Sequence, residues 1–300
     1  MAPQATSGEP ALSIVVASFC GDESLRRCLG SLEAQRGDAE VIVVGALEPA
    51  GANRLAASFP WMTVYLAPQG SSVFRLRSLG VARSRGSVIV LLEDHCSVTR
   101  GWLEAFVAAR ADAQRHLGGP VAAGPVGSIR AFSLFLMEYG ALMPPLAETH
   151  GDAVLAVNAA YAREPLLACR DVWEHAFYDN EVRDSLREAG CAPQVVTNAV
   201  VHSHLDMALK EAAAHLYAGG RRYGAYRRLR AGPFKSLLLP LAAPVVPFIL
   251  LGRILVRLAR RRARWLFMLP AATPYLLWLA GAWSAGEAVG CLASPAPERG

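Results

Sequence analysis

Several signatures are missing from this sequence of 300 residues, and each absence narrows its chemistry. No glycine-rich loop ends in Lys-Ser or Lys-Thr, so the triphosphate cradle of that type is excluded, and the glycine fingerprint of dinucleotide folds is absent too. The six cysteines, Cys20, Cys28, Cys96, Cys169, Cys191 and Cys291, show no paired metal spacing and are expected as reduced, mostly buried thiols. There is no internal repeat. Met1 to Pro10 is polar and the apolar stretch Ile14–Phe19 is too short for a signal core, so the catalytic part is expected on the cytoplasmic side of a membrane. Acidic residues are nearly missing from one segment. From Lys210 to Arg264 thirteen Lys and Arg face one acid, Glu211, a local charge of +12, whereas the rest of the chain carries −7 within a total of +5. That asymmetry argues against nucleic-acid binding by the remainder and for a surface facing anionic lipid. The arginines with Tyr217, Tyr223 and Tyr226 also suit base stacking, but the neighbouring apolar runs favour lipid.

What is present begins with Ser13–Phe19, a short apolar run that predicts a buried strand, followed by Glu23–Gln35 with apolar residues at helical spacing and by a second strand at Val41–Val44. Strand, helix, strand in that order opens a parallel α/β sheet. A third buried strand, Ser87–Glu93, runs into Glu93-Asp94-His95. Parallel sheets place ligands at the carboxyl ends of their strands, and two carboxylates with an imidazole are ligand types for a divalent cation bridging two phosphates. An ordinary polar loop that caps the following helix has the same composition.

The run "LSIVVASF" with "ESLRRCLGSLEAQ" and "EVIVV", then "RLRSLGVARSRGSVIVLLEDHCSVTRGWLEAF", resembles the family 2 glycosyltransferases of the GT-A fold. In that family an Arg-Asn-x-Gly stretch, Ala-x-Gly, a strand, an Asp-x-Asp triplet and a Gly-Trp-Leu helix start follow one another. Arg77 falls on the arginine, Gly80 and Gly86 on the glycines, Glu93, Asp94 and His95 on the triplet, and Gly101-Trp102-Leu103 on the helix start. The resemblance implies a nucleoside-diphosphate-sugar donor held by Ser18, Phe19, Arg77, Glu93 and Asp94. It also implies a divalent cation, Mg2+ or Mn2+, held by His95 and His202. Three positions depart from the pattern. His95 replaces a metal-touching carboxylate, Gly45-Ala46 stands where an aspartate reads the nucleobase, and Cys20 stands where asparagine is common, so the resemblance leaves the nucleotide open.

Further along, Phe177–Gly190 is similar to the family segment in which acidic residues open a helix that ends at glycine. Asp179 then falls on the general base of an inverting displacement. Its place in a first helical turn equally suits capping. Val200–His204 supplies two histidines after a short strand, of which His202 is the better placed for the family position with His204 as the alternative, and Asn158–Arg163 resembles the stretch bordering the acceptor but equally suits packing and surface. The Arg-Trp signature of processive polysaccharide synthases is absent, which points to transfer of a single sugar.

Two runs, Ser236–Gly252 and Trp265–Gly286, contain no charged residue, and about 20 apolar residues span a bilayer as helix. The second is long enough. The first is broken by Pro240, Pro244 and Pro247 and is expected in the cytoplasmic leaflet or re-entering it, and Leu205–Leu229 reads as a basic amphipathic helix on the membrane surface. The expected organisation is a polar tail at 1–11, an α/β GT-A domain at 12–205, a basic interfacial helix at 206–235, hydrophobic membrane helices at 236–292 and a tail at 293–300. The expected partners are a nucleoside-diphosphate sugar, a lipid or lipid-linked acceptor and the membrane, with no nucleic acid. A catalytically impaired, membrane-bound nucleotide-binding module on the same fold is the alternative.

Overall fold

A computed structural model describes residues 10–112, 114–125, 127–147 and 154–292, with the backbone only at 232–239. The expected tail at 293–300, and most of that at 1–11, lies outside the described residues. The chain divides into two compact units, Met1–Ala122 with Pro144–His204, and Ala123–Met143 with Leu205–Arg299.

In the first unit β1 (Leu12–Ser18) pairs in parallel with β2 (Glu40–Gly45) and with β4 (Val88–Glu93), and β3 (Met62–Leu66) extends the sheet beside β2. All seven residues of β1 are buried, as a parallel strand covered on both faces requires. Helix α1 (Asp22–Glu33) buries Leu25, Cys28, Leu29 and Leu32, the i, i+3, i+4, i+7 stripe of one helical face. Helix α2 (Pro49–Ser58) joins β2 to β3, and α3 (Val73–Arg83) joins β3 to β4. Beyond β4 the sheet turns antiparallel at β8 (Asn158–Ala162), continues through β6 (Arg115–Gly118), and ends at β9 (Ala192–Val195), in the order β3-β2-β1-β4-β8-β6-β9. This is a mostly parallel α/β sheet flanked by helices. A second sheet, β5 (Cys96–Val98), β10 (Val201–Ser203) and β7 (Val121–Ala123), starts directly after the acidic triplet.

One side chain ties the two sheets together. Asn158, fully buried, accepts from Trp102 Nε1 at 2.9 Å and donates to the carbonyls of Pro120 at 3.1 Å and Ala199 at 2.8 Å. Arg163 donates to the Ser84 carbonyl. Asn158–Tyr161 are buried strand residues, so this stretch packs the core. Trp173 and Phe177 sit fully buried in the same core, each large apolar side chain contributing ~1.5–3 kcal/mol on burial.

The second unit is helical. It takes in α5 (Ile129–Tyr139), which lies far earlier in the chain than the remaining helices, and Phe132 meets the ring of Trp265 edge-on at 5.5 Å. Helix α9 (Leu209–Leu238) runs alongside α11 (Leu269–Leu292) through four glycines. A Cβ on Gly220 would lie 2.1 Å from the Trp283 carbonyl oxygen, and one on Gly224 2.1 Å from that of Glu287. A Cβ on Gly286 would lie 2.1 Å from Tyr217 O, and one on Gly290 2.0 Å from Arg221 O. Contacts advance together along both chains, so the helices are parallel and their backbones touch where only glycine fits. Glu287, the one acid of α11, is buried in this seam and pairs with Arg227. The basic segment expected alone on a membrane surface is therefore packed lengthwise on the second apolar run.

The first apolar run is not one helix. It comprises the end of α9, a 3₁₀ turn at Leu239–Ala242 and the start of α10 (Val246–Arg261), with Pro247 in the first helical turn, where its missing N–H is harmless. Among the described residues one helical segment, Ala263–Leu292, is long and apolar enough to cross a membrane.

Candidate nucleotide-sugar site

The carboxyl ends of β1 and β4 lie side by side, because Ala17 pairs with Glu93 in the parallel register, and this brings Ser18-Phe19-Cys20 against Glu93-Asp94-His95. Asp94 fastens the two. Its Oδ2 accepts from Ser18 Oγ at 3.0 Å, Phe19 N at 2.9 Å and Cys20 N at 2.8 Å, and its own N donates to Ala17 O at 3.1 Å. Its Oδ1, also buried, has no hydrogen-bond partner among the described residues. Burial pushes the Asp94 carboxyl up to about 6; the amide of Cys20 and the hydroxyl of Ser18 oppose the rise and the neighbouring Glu93 adds to it.

Arg77 reaches the triplet from α3. Ser72 caps that helix by accepting from Arg75 N at 3.2 Å, and Gly80 lets it lie against the sheet, since a Cβ there would stand 2.2 Å from Val15 Cγ1. The buried guanidinium donates through Nη2 to Glu93 Oε1 and through Nη1 to Asp179 Oδ2 at 2.9 Å. Asp179 is the first residue of α8 (Asp179–Glu188), yet its side chain makes no cap hydrogen bond: Oδ1 accepts from Ala156 N and Oδ2 holds Arg77. Asp179 therefore makes no capping hydrogen bond, while its place in the first turn of α8 still suits the helix dipole. Gly190, at φ 84°, closes the segment in the left-handed region as the glycine ending predicts.

His95 Nδ1 lies 3.6 Å from Glu93 Oε2 and 3.9 Å from Cys20 Sγ, and its ring meets Phe19 edge-on at 5.7 Å. Glu93, Asp94 and His95 are 3%, 0% and 1% exposed, so they are enclosed in the protein rather than set on an open rim. The ligand atoms of Cys20, Asp94 and His95 lie within 4.8 Å of one another. These residues fit a divalent ion: an orphaned carboxylate oxygen of Asp94 and an imidazole converge, and two further carboxylates, Glu93 and Asp179, share the single guanidinium of Arg77. Cys20 is the member that sequence reasoning did not count as a ligand. Burial raises its thiol far above the ordinary range, with Asp94 and Glu93 adding to the rise, so it faces the cluster as a neutral thiol.

His202 is not part of that group. It lies on β10 opposite Ser97 of β5, while His204 donates through its backbone to His95 O at 2.8 Å and meets Ser97 Oγ through Nε2 at 2.8 Å. Burial and the charge of Arg27 hold the His204 imidazole below its usual range. Gly45 faces Ser18 across the β1–β2 register, and a Cβ there would stand 2.9 Å from Ser18 O and 3.0 Å from Ser18 Cβ. A larger residue at that position would displace the β1 end, which gives the departure at Gly45 a packing cause.

A mostly parallel sheet carrying an acidic triplet at the tip of its central strand and a second small sheet beyond defines the GT-A fold. Residues 13–126 match the family model of Glycosyl transferase family 2. No curated protein sequence matches this chain. Among solved structures, the mannosyltransferase PcManGT from Pyrobaculum calidifontis, in complex with GDP-Man and Mn2+, is similar over 95% of this chain and 88% of its own, with 17% identity and a TM-score of 0.56. S. aureus TarS 1-349, in complex with UDP-GlcNAc, is similar over 93% of this chain and 90% of its own, with 12% identity and a TM-score of 0.50. At these identities the likeness speaks for the fold.

Proposed function

We propose that this protein transfers one sugar from a nucleoside-diphosphate sugar to a hydroxyl of a lipid-linked acceptor with inversion at the anomeric carbon, and that it works at the cytoplasmic face of a membrane to which its C-terminal helices hold it. The observation that carries this reading is the double ion pair of Arg77, which places Asp179 beside the strand-end triplet. Two structural relatives with bound nucleotide sugars support the donor class.

In the proposed reaction Asp179 takes the proton of the acceptor hydroxyl as that oxygen bonds to the anomeric carbon. The bond from that carbon to the diphosphate breaks on the opposite face, and its electrons leave with the nucleoside diphosphate. Arg77 orients Asp179 and supplies positive charge where the leaving group gains negative charge. Glu93 fixes Arg77 and lies toward the donor ribose. Ser18 and Phe19, set by Asp94, border the nucleotide. His95 with Asp94 would hold a divalent ion, which would supply Lewis-acid neutralisation of the diphosphate when bound. His202, next to this group on β10, is proposed to face the ion or the diphosphate. A donor set of imidazole and carboxylate suits Mn2+ better than Mg2+, which prefers oxygen ligands in a strict octahedron. The test is a panel of sugar nucleotides incubated with purified protein, Mn2+ and a polyprenyl phosphate or glycolipid extract. Metal-dependent release of nucleoside diphosphate from one donor is expected, and no turnover of any donor, with no nucleotide binding by calorimetry, would contradict it.

A further inference from the structure

Helix α10 buries Ile254 and Leu258 on one side and leaves the other bare. Phe248, Ile249, Leu255 and Val256 are 64%, 46%, 48% and 47% exposed. At 100° per residue these four, with Gly252 and Ala259, fill about a third of the helix circumference and include no polar side chain. Arg253, Arg257 and Arg260 occupy the arc directly beside it. The turn before α10 continues the apolar surface through Leu241 and Val245, 74% and 55% exposed.

Extending the membrane association proposed above, on which this rests, we propose that α10 lies flat in the surface of an anionic bilayer, its apolar arc among the acyl chains and its arginine arc among the headgroups. An apolar face with a basic flank is what an interfacial helix requires. Self-association through the same face is disfavoured by charge: it would gather the arginine arcs of both copies along one seam, and no acid occurs between Glu211 and Glu287 to answer them. The unit as a whole lies on the surface rather than through it. Helix α11 is parallel to α9 and in backbone contact with it, so sinking its C-terminal half into hydrocarbon would carry Arg221, Arg222, Arg227 and Arg228 in as well.

The test uses full-length protein carrying a fluorophore at Phe248→Cys or at Ala259→Cys, bound to phosphatidylcholine vesicles with or without phosphatidylglycerol, and quenched by lipids bearing nitroxides at graded depth. Equal, shallow depths at both positions are expected, with Arg257→Cys nearer the headgroups. A crossing helix would separate the two positions by ~16 Å of depth, and that result would overturn the proposal. Unquenched labels in a protein that dimerises would overturn it in favour of self-association. Phe248→Glu with Ile249→Glu should lower the vesicle-bound fraction at least tenfold. Each Arg→Gln change at 253, 257 or 260 should lower affinity for anionic vesicles about fivefold, the equivalent of ~1 kcal/mol, and leave binding to neutral vesicles unchanged. Hydrolysis of the sugar nucleotide in vesicle-free solution should be unaffected by these variants. Undiminished vesicle binding by the α10 variants would therefore sink this inference and spare the glycosyltransferase reading, and absence of donor turnover with intact binding by the unmodified protein does the reverse.

Discussion

Asp179 Oδ2 stands 2.9 Å from Arg77 Nη1, and the other terminal nitrogen of the same guanidinium holds Glu93. Two consecutive elements, α3 and β4, and the start of α8, distant in sequence, are thereby joined at one planar group. A guanidinium can hold two carboxylates at once; an ammonium is a single point charge on a flexible stem. Replacing Arg77 with Gln leaves two buried carboxylates without their counter-ion and should cost about 3–5 kcal/mol of stability. Urea unfolding of Arg77→Gln measures that loss, and Arg77→Lys should recover part of the stability while transfer stays low. Full activity in the lysine variant would show that the bidentate geometry is not needed.

Asn158 answers three buried polar groups from three segments. Asn158→Ala strands Trp102 Nε1 and the Ala199 carbonyl, whereas the Pro120 carbonyl keeps Val201 N at 3.1 Å, and at ~1–3 kcal/mol per unsatisfied group the expected loss is roughly 2 kcal/mol or more. Denaturant midpoints check it. A loss under ~1 kcal/mol would mean that the link between the two sheets is not carried here.

His116 is buried, stacks on Tyr161 with ring centroids 5.7 Å apart, and is held down to about 4 chiefly by desolvation. Its folded value lies below the unfolded 6.5, so the unfolded chain binds the extra proton first. Stability from this group is complete above pH 6.5 and is lost as pH falls from 6.5 to 4, by on the order of 3 kcal/mol. His116→Gln should remove that slope, read as the difference between the two pH–stability curves. Parallel curves across the window would contradict the assignment.

The seam between α9 and α11 admits no side chain at Gly224 or Gly290. Gly290→Leu should force the helices apart and raise hydrogen exchange along α9 and α11, leaving exchange in β1, β2 and β4 unchanged. Unaltered protection in α9 would mean that the helices are held elsewhere.

Much of the first unit was legible because its signals are local. The strands at Leu12–Ser18, Glu40–Gly45 and Val88–Glu93 are continuous apolar runs that begin and end within about a residue of their expected bounds, and α1 carries its stripe openly. The triplet was legible because it ends a strand. What was not legible depends on distant partners. Cys20 becomes a neighbour of His95 through the β1–β4 register, and Asn158 becomes a link between sheets only once Trp102, Pro120 and Ala199 are in place. The glycines of α9 and α11 are unremarkable in either helix alone. Only their pairing, some sixty residues apart in sequence, turns a basic surface helix into half of a packed seam.

The most direct test of the whole account is single-turnover transfer by Asp179→Asn, once the donor is known, alongside its donor affinity measured by calorimetry. The amide keeps the shape but cannot take a proton, so the sugar-transfer rate should fall by about 10²–10⁴-fold with the dissociation constant of the nucleotide sugar little changed. Transfer at the rate of the unmodified protein would show that Asp179 is not the base and that the Arg77 bridge serves the fold alone.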